Sequence, residues 1–274
     1  MVSAIILTKN EERDLPGCLD SLSWCDDIHI CDSGSTDQTL EIARRYQTTL
    51  SIHPFQSFGD QRNWSIDHCP IKYDWILFLD ADERATPAFQ ETLLDAIQNA
   101  GSECAGFFCC WKMMLGETWL KRSDNFPKWQ FRVLRKGRAR FIDVGHGQKE
   151  GPVQGRIEYL REPYLHFPFR AGWHAWEERH KRYAKLEANE RTKSPLRFMQ
   201  IFSKHASKRN PAIKQFFATL PGWPYFRFFY SYFVKGGWID GRASLEYCRR
   251  IFWYEMLIKS ELRSFKKAQT STKM

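Results

Sequence analysis

The stretch Asp74-Trp75-Ile76-Leu77-Phe78-Leu79-Asp80-Ala81-Asp82-Glu83 decides the reading of this chain. Five consecutive apolar residues, 75–79, are what a strand covered on both faces requires, as in a parallel sheet flanked by helices. Three acids in the next four positions follow at once. Asp and Glu favour loops and helix starts, which accounts for acids such as Asp37 and Glu11. It does not account for Asp80, which directly continues the apolar strand.

Upstream, short apolar runs alternate with amphipathic ones. The pattern predicts strands over residues 2–7, 28–31 and 49–52, and helices over 11–23, 35–46 and 59–68. Ser35 reads as an N-cap with Gln38 three residues on, and Pro87 as the first residue of the next helix. This alternation predicts an α/β fold, an open, mostly parallel, Rossmann-like sheet with flanking helices. From 104 to 166 the pattern changes to shorter strands and loops. Beyond Phe169 it is helical, with long helices over 173–193 and 243–265. The expected division is an α/β domain over 1–168 and a basic, aromatic helical extension over 169–274.

In an open parallel sheet, ligands bind at the carboxyl ends of the strands, where strand order reverses. Three predicted strands end there in polar runs: Thr8-Lys9-Asn10-Glu11-Glu12, Asp32 to Asp37, and Asp80 to Glu83. Carboxylates gathered in one crevice repel each other without a cation or a hydrogen-bonding ligand. A hard divalent ion, held by one or two carboxylates and substrate phosphates, resolves the repulsion.

Charge is uneven along the 274 residues. Residues 1–150 hold 17 Lys and Arg against 22 Asp and Glu, whereas residues 151–274 hold 24 against 10. The rear half therefore suits anionic partners. Residues 216–238 carry eleven aromatics, and three readings compete for them: core packing, an interfacial surface on anionic lipid, and nucleic-acid stacking. No nucleic-acid-binding module is visible, so no nucleic acid is expected. The apolar run at 4–7 is too short for a signal peptide, and no run approaches a bilayer span. The eight cysteines lack CxxC spacing and read as buried free thiols of a reducing compartment rather than a zinc site.

The strings ILTKNEE (6–12), CDSGSTDQT (31–39), FGDQRNWSID (58–67) and DWILFLDADE (74–83) closely resemble the inverting family 2 glycosyltransferases of GT-A fold. Further strings, among them QFRVLRKGRARF (130–141), YLHFPF (164–169), KRYAKLEANE (181–190) and FFYSYFVKGGWIDGRASLEY (228–247), resemble a narrower group, the bacterial lipopolysaccharide-core β-glucosyltransferase-like proteins. The resemblance implies that Thr8, Asn10 and Glu11 contact a nucleotide, that Asp32 accepts a hydrogen bond from its base, and that Arg62 lies near base and diphosphate. It implies Asp80 near the ribose, Asp82 and Asp80 at Mg²⁺ or Mn²⁺, and His166 near the metal or diphosphate. Glu83 is expected to cap the following helix or support the site, and Arg132 to pair with a phosphate or extend along the sheet. Asp240 is expected as a turn or helix-capping residue, and after that as an acceptor contact.

The catalytic base is open. The group places a His-Glu pair where this chain has His146-Gly147, leaving Glu150, Asp143 and His146 as candidates, in the order Glu150, then Asp143. The implied enzyme moves a hexose, glucose by resemblance, from a UDP-sugar to a surface-glycan or lipid-linked acceptor, with a polyprenyl phosphate as the alternative acceptor. The expected location is cytoplasmic, peripheral on the inner membrane. A sugar-phosphate nucleotidylyltransferase would open with a glycine-rich loop that Thr8 to Glu11 lacks. A non-catalytic adaptor would carry a broken metal motif, and Asp80 and Asp82 are intact.

Overall fold

The computed structural model describes residues 1–144, 147–193 and 198–271. The chain forms two compact units, one of Met1–Trp119 with Asn125–Gly172, the other of Leu120–Asp124 with the chain from Trp173 onward.

The first unit contains β1 (Ser3–Thr8), α1 (Leu15–Asp20), β2 (Ile28–Asp32), α2 (Thr39–Arg45), β3 (Thr49–Ile52), α3 (Phe58–His68), β4 (Trp75–Asp80), β5 (Glu83–Arg84), α4 (Pro87–Asn99), β6 (Cys104–Leu115), β7 (Thr118–Trp119), β8 (Trp129–Arg135), β9 (Ala139–Val144), β10 (Gly147–Val153) and β11 (Arg156–His166). The main sheet runs β3-β2-β1-β4-β8-β6-β11-β5, with β7 beside β6, and β9 and β10 form a separate hairpin. β1 lies parallel between β2 and β4, so strand order reverses beside it. Thr8 pairs with Asp32, and Leu7 with Asp80, which brings the three polar strand ends to one edge. β8 is antiparallel to both neighbours and closes the parallel half.

Every residue of 75–79 is buried. Leu77 and Leu79 pack with Ile6, Phe89 and Leu93 on one face, and Ile76 and Phe78 with Ile5, Phe131 and Phe141 on the other. Burial of each such side chain contributes about 1.5–3 kcal/mol, which is why this strand has no polar position until it reaches the edge.

Three local expectations fail for identifiable reasons. The 104–166 region, expected as short strands, holds β6 of 12 residues and β11 of 11. Their glycine and charged positions are carried by strand pairing, with register shifts at Phe107/Phe108 and Leu160/Tyr164 absorbing the irregularities. α2 starts at Thr39 rather than Ser35, because the Ser35 hydroxyl is bonded to Asp32. α1 is shorter than the predicted 11–23. Pro87 does open α4, whose cap is Thr86 Oγ1 accepting from Phe89 N at 3.1 Å, not Glu83.

The second unit contains α5 (Gly172–Lys193), a 3₁₀ turn at Phe198–Phe202, α6 (Ala206–Thr219), α7 (Trp223–Phe229), a π turn at Tyr230–Val234, a 3₁₀ turn at Gly237–Asp240 and α8 (Gly241–Ser271). Asp240 is a clamp on the Leu120–Asp124 segment: it accepts from Arg122 N at 2.8 Å and pairs with Arg122 Nη1 at 3.0 Å. Tyr247 donates to Asp124 Oδ1 at 2.8 Å from the same unit. All eight cysteines are free, and no helix among the described residues is long and apolar enough to cross a membrane.

Candidate active site

The edge formed by β1, β2, β4 and β11 is built from two networks. In the first, the loops after β1 and β2 satisfy each other. Asp32 is fully buried, and its carboxylate accepts from Gly34 N and Ser35 N at 2.7 Å each, from Thr8 Oγ1 at 2.8 Å and from Ser35 Oγ at 2.5 Å. Four donors use the full capacity of a carboxylate. Asp32, expected to receive a hydrogen bond from a nucleotide base, thus also holds the 33–36 loop. Asn10 sits at φ 58°, where Asn is among the better-tolerated residues. Its Oδ1 accepts from Thr36 N at 2.8 Å, and its own N–H donates to Ser35 Oγ at 2.8 Å. Glu11 N donates to Thr39 Oγ1 at 2.8 Å, and Lys9 Nζ to the Ser33 and Gly34 carbonyls. Lys9 and Asn10 remain exposed on the crevice rim and Glu11 half-buried.

The second network fixes Asp80. Arg62 Nη2 lies 3.1 Å from Asp80 Oδ1, and Arg132 Nη2 lies 2.7 Å from Oδ2. Arg132 also reaches Glu83 Oε1 at 2.5 Å and, through Nε, Tyr164 Oη at 3.2 Å. Glu83 Oε2 accepts from Asp80 N at 2.9 Å. Both arginines are almost wholly buried, and the Arg62 guanidinium stacks on Phe78 and Phe141. Burial alone would raise the Asp80 pKa, but Arg132 and then Arg62 outweigh it and hold the carboxyl below its ordinary value. Burial pushes Glu83 up to about 7 against the pull of Arg132, and the Asp80 charge adds to the rise. Burial, with Arg132 nearby, brings Arg62 down to about 10, still protonated at neutral pH.

These contacts set each group's place in the cluster. Asp80 bonds a guanidinium through each oxygen while its side chain stays 39% exposed. Arg62 is buried against Asp80, Phe78 and Phe141. Arg132 is buried within the cluster, and Glu83 supports it from beneath.

Asp82 differs. Its carboxylate lies beyond the Arg132 bridge and is partly exposed, with Oδ2 3.4 Å from His166 Nε2. The antiparallel pairing of His166 with Glu83 delivers the imidazole to this edge, and Phe167 N bonds to the Asp82 carbonyl at 2.8 Å. Burial lowers the His166 pKa, but the Asp82 carboxylate, with Glu83 and Asp80 behind it, raises it above the ordinary value. No three His, Cys, Asp or Glu converge among the described residues. An oxygen and an imidazole nitrogen on one partly open edge fit a divalent ion that takes its remaining ligands from phosphate oxygens and water.

The candidate bases separate as well. Asp143 is bound to the start of α3: Oδ2 accepts from Ser57 Oγ at 2.6 Å and Oδ1 from Gly59 N at 2.9 Å. A Cβ at Gly59 would lie 2.9 Å from Asp143 Oδ1, so only glycine allows this approach. Glu150 pairs with Phe141 across the β9–β10 hairpin, which puts it on the face that also carries Arg62's aromatic platform. Gln148, two residues earlier, adds to the Arg62 shell: with its amide oxygen turned to the guanidinium, it accepts from Nε at 3.1 Å and Nη2 at 3.3 Å. His146 lies outside the described residues. Gln148 and Tyr164 escaped sequence reasoning. Gln148 follows directly on the altered His-Gly motif, whereas nothing local marks Tyr164 as a partner of Arg132.

A mostly parallel sheet whose strand-end acids face one crevice fits the GT-A fold expected from the sequence. Residues 3–149 match the family described as Glycosyl transferase family 2, and the chain belongs to that family of enzymes. It is similar to the lipopolysaccharide core biosynthesis glycosyltransferase LpsC of Rhizobium meliloti (strain 1021), 30% identical over 173 residues, covering 61% of this chain and 63% of that protein. It is also similar to an uncharacterized glycosyltransferase of Rickettsia bellii (strain RML369-C), 32% identical over 93 residues, covering 34% of this chain and 31% of that one. The chain thus spans less than two thirds of the length of these relatives. Among solved structures, S. aureus TarS 1-349 in complex with UDP-GlcNAc aligns over 97% of this chain and 92% of that one, at 16% identity and a TM-score of 0.49.

Proposed function

We propose that this chain is an inverting glycosyltransferase that moves a hexose, glucose by resemblance, from a UDP-sugar to a surface-glycan or lipid-linked acceptor, assisted by Mg²⁺ or Mn²⁺. The observation that carries the reading is the Asp82–His166 pair, 3.4 Å apart at the strand-end edge beside the Asp80 carboxylate. When bound, the cation supplies Lewis-acid stabilisation of the departing diphosphate. Asp82 and His166 would hold it. Asp80, fixed between Arg62 and Arg132, presents a set orientation toward the donor, and the Asn10 loop lines the crevice where the nucleotide would lie.

Glu150 is the base we assign. An inverting displacement needs a carboxylate to take the acceptor hydroxyl's proton on the side opposite the leaving group, and Asp143 is committed to α3. The relative's role in lipopolysaccharide core biosynthesis supports a surface-glycan acceptor. Residues 191–239, with nine Lys and Arg and no acid, favour an acceptor on an anionic membrane, at the cytoplasmic face of an inner membrane, and suit a polyprenyl phosphate equally. The test is a screen of UDP-sugars for UDP release with Mn²⁺, with Mg²⁺ and with EDTA. Metal-dependent release with one donor supports the reading. Release of pyrophosphate, or metal-independent release, overturns it.

A further inference from the structure

Residues 223–239 turn in and out in pairs. Tyr225 and Phe226, Phe229 and Tyr230, Phe233 and Val234, and Trp238 and Ile239 are all between 42% and 62% exposed. Between these pairs the chain faces inward: Pro224 is buried, Arg227 pairs with Glu255, and Phe228 packs edge-on to Phe252 of α8. A four-residue repeat drifts by about 40° per step around an α-helix of 3.6 residues per turn. The π turn at Tyr230–Val234 is wider and rotates the later pairs back. Each pair therefore stays exposed instead of spiralling into the unit.

Eight large apolar side chains exposed within fifteen positions form a patch of the kind that marks an interaction surface. The charge around it selects the occupant. Residues 191–239 hold nine Lys and Arg and no Asp or Glu. Two of the nine, Arg191 and Arg227, are matched by Glu187 and Glu255 outside the stretch; a second copy docked face to face would bring the remaining like charges together with no acid of that stretch to answer them. A bilayer rich in anionic phospholipid answers both features, since aromatic rings settle at headgroup depth and basic side chains meet the phosphates. No described helix can cross a membrane, which makes this an in-plane contact.

We propose that the Tyr225–Ile239 face is an interfacial surface that seats this unit on anionic lipid, entering the headgroup region through Phe226, Phe229 and Phe233. The proposal deepens the lipid-linked reading of the acceptor, and its probe contains neither donor nor acceptor. The full chain is sedimented with vesicles of phosphatidylglycerol and phosphatidylethanolamine, or of phosphatidylcholine alone, at low and high salt. Expected is binding on the order of ten-fold stronger to the anionic vesicles and weakened by salt. The triple variant Phe226→Ser/Phe229→Ser/Phe233→Ser loses it at unchanged circular dichroism, and Lys204→Glu/Arg209→Glu, exposed basic positions outside the aromatic face, weakens it. Absent vesicle binding, or binding that the triple variant retains, overturns the proposal. So does lipid-free self-association that the triple variant abolishes, or tighter binding to single-stranded nucleic acid than to vesicles. Donor cleavage without vesicle binding sinks this surface and spares the transferase, and vesicle binding without donor cleavage does the reverse.

Discussion

Arg132 and Asp80, 52 positions apart, meet with Nη2 2.7 Å from Oδ2, and the same nitrogen lies 2.5 Å from Glu83 Oε1. One buried guanidinium thus ties the end of β4 to the buried Glu83 and fixes the orientation of the Asp80 carboxylate.

Removing Arg132 leaves Glu83, 1% exposed, without its cation. Glu83, already raised to about 7, then takes up a proton, so Arg132→Met is expected to cost about 1–3 kcal/mol, the worth of the charged hydrogen bonds lost. Arg132→Lys should recover only part, because a lysine cannot hold Asp80, Glu83 and Tyr164 with one planar group. Urea unfolding midpoints measure this, and a loss below about 1 kcal/mol, the range of exposed pairs, contradicts the bridging role.

Asp82→Asn should leave the fold intact, since none of the named buried bridges depends on it, while abolishing metal-dependent UDP binding. Titration calorimetry with Mn²⁺ present and absent decides the matter. Equal affinity in the variant removes Asp82 from the metal site.

Glu150 and Asp143 should fail in different ways. Glu150→Gln is expected to lower kcat by about 10²–10⁴, the usual worth of a general base, with donor KM unchanged. Asp143→Asn should instead cost about 0.5–2 kcal/mol of stability by weakening the anchor at the start of α3, with kcat reduced far less. Steady-state kinetics paired with thermal melts separate the two, and the reverse pattern exchanges the assignments.

Protonation of His166 couples to pH through Asp82. Its folded pKa is raised above the ordinary 6.5, so the pair's contribution is complete below about 6.5 and is lost as pH rises through the folded value. In EDTA, the melting-temperature gap between the native chain and His166→Asn should narrow from pH 6 to pH 8.5. Mn²⁺ competes with that proton, so its affinity should rise over the same interval. A gap that widens with pH contradicts the ion pair.

Asp32→Ala should behave as a folding variant. It strips acceptors from two backbone N–H groups and two hydroxyls, at about 1–3 kcal/mol for each buried group left unmatched. Loss of nucleotide affinity at unchanged stability would falsify the loop-holding role and restore base recognition.

The apolar run 75–79, its acidic terminus and the alternation of strands and helices before it were readable in the sequence, because strand burial and strand-end polarity are local patterns. These are enough to place Asp32, Asp80 and Asp82 at one edge. How those acids are partnered was not readable. Arg62, Arg132 and His166 reach the cluster from 18, 52 and 84 positions away, and only strand order brings them there. The same holds for Asp143, whose partners Ser57 and Gly59 lie across the fold, and for the aromatics of 223–239, whose composition suits a core and a surface equally. Periodicity shows that a side chain is apolar. Only the packed partners decide whether it ends inside the unit or on its face.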